Sequence, residues 1–259
     1  MRTIAVFAAV LSALSCFGTA VAGGMFGPPQ PVSRDAGGLH TAVGYIHYAD
    51  IFKDGADHVI RQNHIYSQAG YGAHDRWEIY GRVSMSDLRI SDAFRSANDA
   101  AVPSRSDFED RWKFFGTLGG KGYYPFGSCL GMGIFVQASY AFGDFKDGVS
   151  GTLNGAPFAT ELKLKDIWDI NFGIGLQWTV PRGVRLYAGP FAYYAEAKAS
   201  PSPAVRGLAL ASEDVLIRNK TSAGGFAGVD IPIGKGFRLN LETRYSERFS
   251  LGSAIVFVY

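Results

Sequence analysis

Ionisable side chains in this chain recur at intervals of two and four residues inside otherwise apolar stretches. Glu78 and Arg82 are one such pair, Arg238, Glu242 and Arg244 another set, and Lys163, Lys165 and Asp169 a third. In an extended chain, residues two or four apart point to the same side. Twelve groups take the polar parity of their stretches: Glu78, Arg82, Lys113, Lys121, Lys163, Lys165, Asp169, Arg185, Asp230, Arg238, Glu242 and Arg244. If they share one confined interior they must pair, because desolvating a lone charge is costly. The spacing predicts interlocked salt bridges, with Glu78–Arg82 and an Arg238–Glu242–Arg244 ladder among them. Such a network either fills the interior or lines a narrow path with a mild anion preference.

Other chemistry has less support. Of the five histidines, His47 and His58 bracket a connection that also holds Asp50 and Asp54. Brought together, these four would form an acid/His cluster able to move protons in a hydrolysis; solvated loop residues are the plainer reading. No tight ligand spacing supports a metal site, so no metal, cofactor or catalytic residue is assigned. Cys16 falls in the leader described below, which leaves Cys129 alone. That excludes an intramolecular disulfide and a Cys-based zinc site, and Cys129 reads as an inert buried thiol. A net charge of +2 argues against nucleic acid as a partner.

The elements that must position the charges are strands. From Trp168 to Trp178 every even residue is apolar and every odd one is polar or Gly. Strict period-2 alternation gives a strand with two faces. Ten steps at ~3.3 Å, tilted by ~40°, rise about 25 Å, the apolar height of a membrane barrel. Indoles favour the two membrane interfaces, so Trp168 and Trp178 read as girdle residues. Trp77, Trp112, Tyr140, Phe257 and Tyr259 join them on the lipid side. The 33 Gly, 19 Phe and 13 Tyr also favour strands and turns over helices.

Residues 1–22 read as a cleaved signal peptide: Arg2, an apolar run from Ile4 to Phe17, then Ala20-Val21-Ala22. Residues 23–38 carry Pro28, Pro29 and Pro31, which prevent regular structure. They read as a short, mobile periplasmic lead-in, too short to be a plug domain. Residues 39–259 then hold ten candidate strands, the eighth running from Val215 to Ile231. Their connections alternate between long and short, and the short ones carry Gly or Pro. A barrel with both termini in the periplasm has short periplasmic turns and longer outer loops. The expected fold is therefore all-β: a transmembrane antiparallel up-and-down barrel of ten strands, eight being the alternative.

The chain ends Ser253-Ala254-Ile255-Val256-Phe257-Val258-Tyr259, an aromatic preceded by alternating apolar residues. This resembles the C-terminal signal of bacterial outer-membrane barrels. With the leader, residues 39–259 resemble a small outer-membrane β-barrel of the kind typified by the transmembrane domain of outer-membrane protein A. The resemblance implies export to the outer membrane of a Gram-negative cell. It also implies contact with outer-membrane lipid and lipopolysaccharide, and handling by the barrel-assembly machinery through the last strand. Architecture does not fix function. The expected role is a non-enzymatic envelope protein with at most slight pore activity. The alternatives are an outer-membrane enzyme, of lipid A hydrolase or protease type, and a small solute-selective porin. The outer loops, with Arg95, Arg105, Asp107, Glu109, Asp110 and Lys146, are where an extracellular ligand would be met.

Overall fold

The computed structural model describes residues 24–32, 38–53, 57–73, 76–94, 101–153, 156–205, 208–209 and 213–259. The expected leader, residues 1–22, lies outside them, as do Asp54, His74 and Arg95. The described strands are β1 (Leu39–Lys53), β2 (Asp57–Ala73), β3 (Trp77–Ile90), β4 (Ala101–Pro103), β5 (Phe108–Pro125), β6 (Leu130–Ala141) and β7 (Phe145–Leu153). They continue with β8 (Ala156–Val180), β9 (Val184–Val205), β10 (Leu208–Ala209), β11 (Val215–Asn219), β12 (Ala223–Pro232), β13 (Phe237–Tyr245) and β14 (Phe249–Val258).

Ten of these strands close a ring in the order β1, β2, β3, β5, β6, β8, β9, β12, β13, β14 and back to β1. Every neighbouring pair is antiparallel, and the seam joins the first strand to the last, from His40↔Val258 to His47↔Leu251. Closure removes the unpaired edges that a strand would otherwise present to lipid. Among the described residues no helix is long and apolar enough to cross a membrane.

The two faces follow the sequence alternation. On β8, Ile170, Phe172, Ile174, Leu176 and Trp178 are exposed on the outside, while Asn171 and Gln177 are buried inside. The same outward apolar face recurs on other strands, with Val43, Ile79, Leu118, Ile134 and Ile255 exposed. A continuous apolar belt of this size is lipid-facing surface, not surface for water. Trp77, Trp178, Phe257 and Tyr259 stand at the end with short turns. Trp112, Tyr140 and Trp168 stand at the other end, where Trp168 packs on Tyr194 with ring centroids 5.3 Å apart.

Beyond the belt the strands continue outward and the wall changes partners. The expected eighth strand is divided: β12 belongs to the ring, whereas β11 lies above it and pairs with both β1 and β9. The three expected long loops also contain strands: β4, β7 and β10. β7 forms a hairpin with β8 and carries β4 on its far side. Asp110 and Asp147 tie β7 to β5 by accepting the N–H groups of Lys146 and Glu109, each at 2.7 Å. At the outer end, therefore, β7 stands where β6 stops, and β11 closes the gap above β12–β14. The interior there is an apolar core in which Leu88, Phe108, Phe145 and Leu164 are fully buried. Cys129 departs from its expected burial: it is exposed beside the short turn before β6.

Candidate functional site

The site is the lumen, and its central feature is the segment read from sequence as a lead-in beneath the barrel. Residues 24–32 instead run inside it, with Met25, Phe26, Gln30 and Val32 buried. Nine hydrogen bonds connect the backbone of this segment to side chains of the wall. Glu242 accepts the N–H groups of Phe26 and Gly27, Gln177 that of Gln30, and Glu78 that of Val32. Gln137 and Arg244 donate to the Gly24 carbonyl, Arg82 to Met25, Lys121 to Pro28 and Arg185 to Gln30.

The prolines that rule out a strand are what suit this segment to the interior. A buried backbone group without a partner costs ~1–3 kcal/mol, and proline has no N–H to satisfy. Pro28, Pro29 and Pro31 thus remove three donors from a chain that has no strand beside it. Gly27 has φ of 73°, a backbone region that favours glycine. The wall makes room with glycines of its own. A Cβ at Gly133 would stand 2.8 Å from the Cβ of Pro29, and one at Gly252 would overlap Met25. Phe26 fills the middle, with ring centroids 5.1 Å from Phe135 and 5.0 Å from Phe226, and the Arg244 guanidinium lies 4.4 Å over its ring.

The charged residues divide between lumen and rim. Glu78, Arg82, Lys121, Arg185, Asp230, Glu242 and Arg244 are all buried inside, with Arg238 at the short-turn end and Asp169 above the segment. Their pairing differs from the within-strand ladders expected from spacing. Glu78 pairs with Lys121 across the wall at 3.0 Å, with His40 3.7 Å away. Arg82 bonds Gln68 and the Met25 carbonyl and lies 4.4 Å over the Tyr66 ring. Arg238 pairs with Asp230 at 2.6 Å, and Arg185 approaches the same carboxylate at 3.8 Å. Glu242 serves the segment and Tyr187. Four residues along a strand, side chains stand ~13 Å apart, so cross-strand neighbours and the inserted backbone reach these groups first.

Three expected lumen residues are elsewhere. On β8 the register slips between Lys165 and Trp168, and Asp166 takes φ of 50°. The extra residue of this bulge reverses the facing of everything above it. Leu164 therefore points inward, while Lys163 and Lys165 pair with Asp144 and Asp214 on the outside. Lys113 sits at the outer rim, 3.0 Å from Asp110. Among the described residues the acid/His cluster is not assembled either. His47 faces out and bonds Asn63 at 2.8 Å, whereas Asp50 faces in and accepts from Tyr193 at 2.8 Å. Among the described residues, no three His, Cys, Asp or Glu side chains could hold a metal ion.

A cavity lies above the inserted segment, at the outer end. Its floor holds Gly24, Arg82, Thr117 and Asp169, and its walls include Ile46, Phe115 and Leu164. Sequence reasoning missed both the cavity and the plug beneath it. The signal for the plug was the row of glycines on lumen parity, which leaves space that side chains would otherwise fill.

No protein-family model matches the sequence, and no curated protein matches it closely. Solved structures similar to it include the translocator domain of autotransporter NalP from Neisseria meningitidis, at 9% identity and TM-score 0.48, covering 87% of this chain and 90% of that one. Outer membrane protease OmpT from Escherichia coli is similar at 10% identity and TM-score 0.46, covering 87% and 98%. The transport unit of autotransporter AIDA-I from Escherichia coli is similar at 10% identity and TM-score 0.45, covering 87% and 91%. The chain folds as a small, closed antiparallel β-barrel with an apolar outer belt. In this barrel the ring has ten strands, and its own residues 24–32 occupy the bore.

Proposed function

We propose that this protein is a non-enzymatic component of the outer membrane of a Gram-negative cell, closed to solutes at rest. Signal-dependent export would deliver it, the assembly machinery would engage it through β14, and lipid with lipopolysaccharide would surround its belt. The observation that carries the reading is the passage of residues 24–32 through the lumen, fastened to the wall by nine hydrogen bonds. A conducting porin would need to displace that segment and strand the buried charges that hold it.

Conductance of the purified protein in planar bilayers tests this directly. The intact barrel should show no steady channel steps, and a variant lacking residues 24–32 should show them. Steady, well-defined steps from the intact protein would refute the closed reading and favour the porin.

A further inference from the structure

Above the outer girdle, basic side chains face each other across the strand ladder. Arg61 on β2 is directly opposite Arg89 on β3, Lys146 on β7 is opposite Lys163 on β8, and Lys165 on β8 is opposite Lys198 on β9. All of them point outward, since their strand neighbours Ile60, Ile90, Phe145, Leu164 and Ala197 are buried inside. The pairs lie a few residues beyond the level marked by Trp112, Tyr140 and Trp168, about 5–15 Å along the barrel axis. Like charges directly opposite each other destabilise a sheet. Three such pairs at one end of one barrel call for an anion from outside.

Little in the chain itself cancels the arginine pair. Asp87, two residues below Arg89 on the same face, is committed to Asn63: it accepts the Asn63 backbone N–H at 2.6 Å and the side-chain N–H groups at 3.1 and 2.9 Å. Arg89 keeps one exposed carboxylate, Glu109 at 3.4 Å. Arg61 and Lys146, both exposed, have no ion-pair partner among the described residues. Lys163, Lys165 and Lys198 are paired with Asp144, Asp214 and Asp166. Exposed pairs of this kind contribute little and can yield to a multiply charged ligand. Below the arginines, Ile65 and Met85 are exposed, and below the lysines Ile170, all continuous with the apolar belt. An anion that meets the cations at this level, with apolar chains covering the belt beneath, is a lipid headgroup. Paired guanidinium groups favour phosphate, which they bond in a fork.

We propose that the opposed pairs are seats for the phosphate groups of a phosphorylated outer-leaflet lipid, with Arg61–Arg89 the tightest. One phosphate bridges the two guanidinium groups and cancels their repulsion, and the acyl chains of the same lipid lie over Ile65 and Met85. The inference rests on the outer-membrane reading and narrows it, from contact with lipid at large to named headgroup sites.

Diphosphoryl lipid A is the probe, added to the full barrel in maltoside micelles, and native mass spectrometry counts the molecules bound. Its phosphate-free form should bind at least about tenfold more weakly, as loss of a charged hydrogen bond implies, and inorganic phosphate should not displace it. Arg61→Gln combined with Arg89→Gln should weaken the tightest site by a similar factor. Lys235→Gln, on a short turn at the opposite end, should change nothing. Melting temperature gives an independent sign. In micelles alone Arg61→Gln removes a repulsion and should melt above the wild type; with lipid A present the order should reverse. Equal affinity for the phosphate-free form, displacement by inorganic phosphate, wild-type affinity in the double variant, or an order of melting that lipid A does not change would overturn the sites. Refolding into phosphatidylcholine vesicles is scored separately by the heat-modifiable gel shift. A barrel that fails to enter them refutes the membrane reading and the sites together, whereas one that enters and ignores the phosphates of lipid A refutes the sites alone.

Discussion

Glu242 on β13 and Phe26 in the lumen segment are 216 residues apart in sequence, yet the carboxylate accepts the Phe26 N–H at 2.9 Å and that of the next residue, Gly27, at 2.8 Å. One side chain thereby satisfies two successive donors of a segment that has no strand beside it. Glu242→Ala strands both N–H groups and leaves the Tyr187 hydroxyl without this acceptor. At ~1–3 kcal/mol for each unsatisfied buried group, the barrel should lose about 3 kcal/mol. Unfolding followed by loss of the heat-modifiable gel shift measures it. The same variant should show flickering conductance where the wild type shows none; unchanged stability and silence together would mean that Glu242 does not fasten the segment.

Gly252 faces Met25 so closely that a side chain there would overlap it. Valine suits a strand better than glycine does, so Gly252→Val tests space and not strand propensity. It should displace the upper part of the segment, raise conductance and lower stability by about 1–3 kcal/mol, the usual cost of overpacking. Val43→Ile, on the lipid face of β1, adds bulk without crowding the lumen and should leave both quantities unchanged.

What was legible in the sequence, and what was not, follows from the range over which each signal acts. The alternation from Trp168 to Trp178 is local, and it fixed the facing of Leu176 and Gln177 correctly. The alternating connection lengths separated the end with short turns from the end where the strands extend into long connections. Lys163 and Lys165 were misassigned because a single inserted residue, marked by the positive φ of Asp166, reverses parity without altering composition. The role of residues 24–32 was hidden for a different reason. Their partners, Glu78, Gln137, Gln177 and Glu242, are distributed over four strands, and only ring closure brings them to one place. Pro28, Pro29 and Pro31 were correctly read as incompatible with a strand. That an irregular segment could be buried became visible only once its carbonyls and N–H groups could be matched with donors and acceptors.

Asp50 stands above the belt, where it and Ser246 of the outer β13–β14 hairpin share the Tyr193 hydroxyl. Burial pushes its carboxyl from 3.8 up to about 7, with the hydrogen bonds from Tyr193 and the Ile51 N–H partly opposing the rise. The folded state therefore holds a proton that the unfolded chain releases near pH 4. Stability from this group is fully present below about pH 4 and is lost as pH rises through about 7, by at most about 4 kcal/mol. Asp50→Asn should remove that dependence and leave the variant more stable than the wild type at pH 8. Melting temperatures of both proteins from pH 4 to pH 8 check this; parallel curves would show that Asp50 is ionised in the folded barrel.

Leu176 and Gln177 are sequence neighbours on opposite sides of the wall, the first exposed to lipid and the second fully buried against Gln30. Leu176→Arg places a charge on the lipid face, which costs about 2–4 kcal/mol near the midplane. Membrane insertion should fall accordingly, read as the fraction of heat-modifiable protein after refolding into vesicles. Gln177→Leu leaves the lipid face unaltered, so insertion should proceed as in the wild type. It removes the acceptor for the Gln30 N–H and the donor to the Gln30 side chain, so the lower part of the segment should loosen and conductance should rise. The two variants thus separate the two faces of β8: one fails to enter the membrane, the other enters and leaks. Reversal of these outcomes, with Gln177→Leu failing to insert while Leu176→Arg inserts normally, would invert the facing of the strand and with it the assignment of lumen and lipid sides.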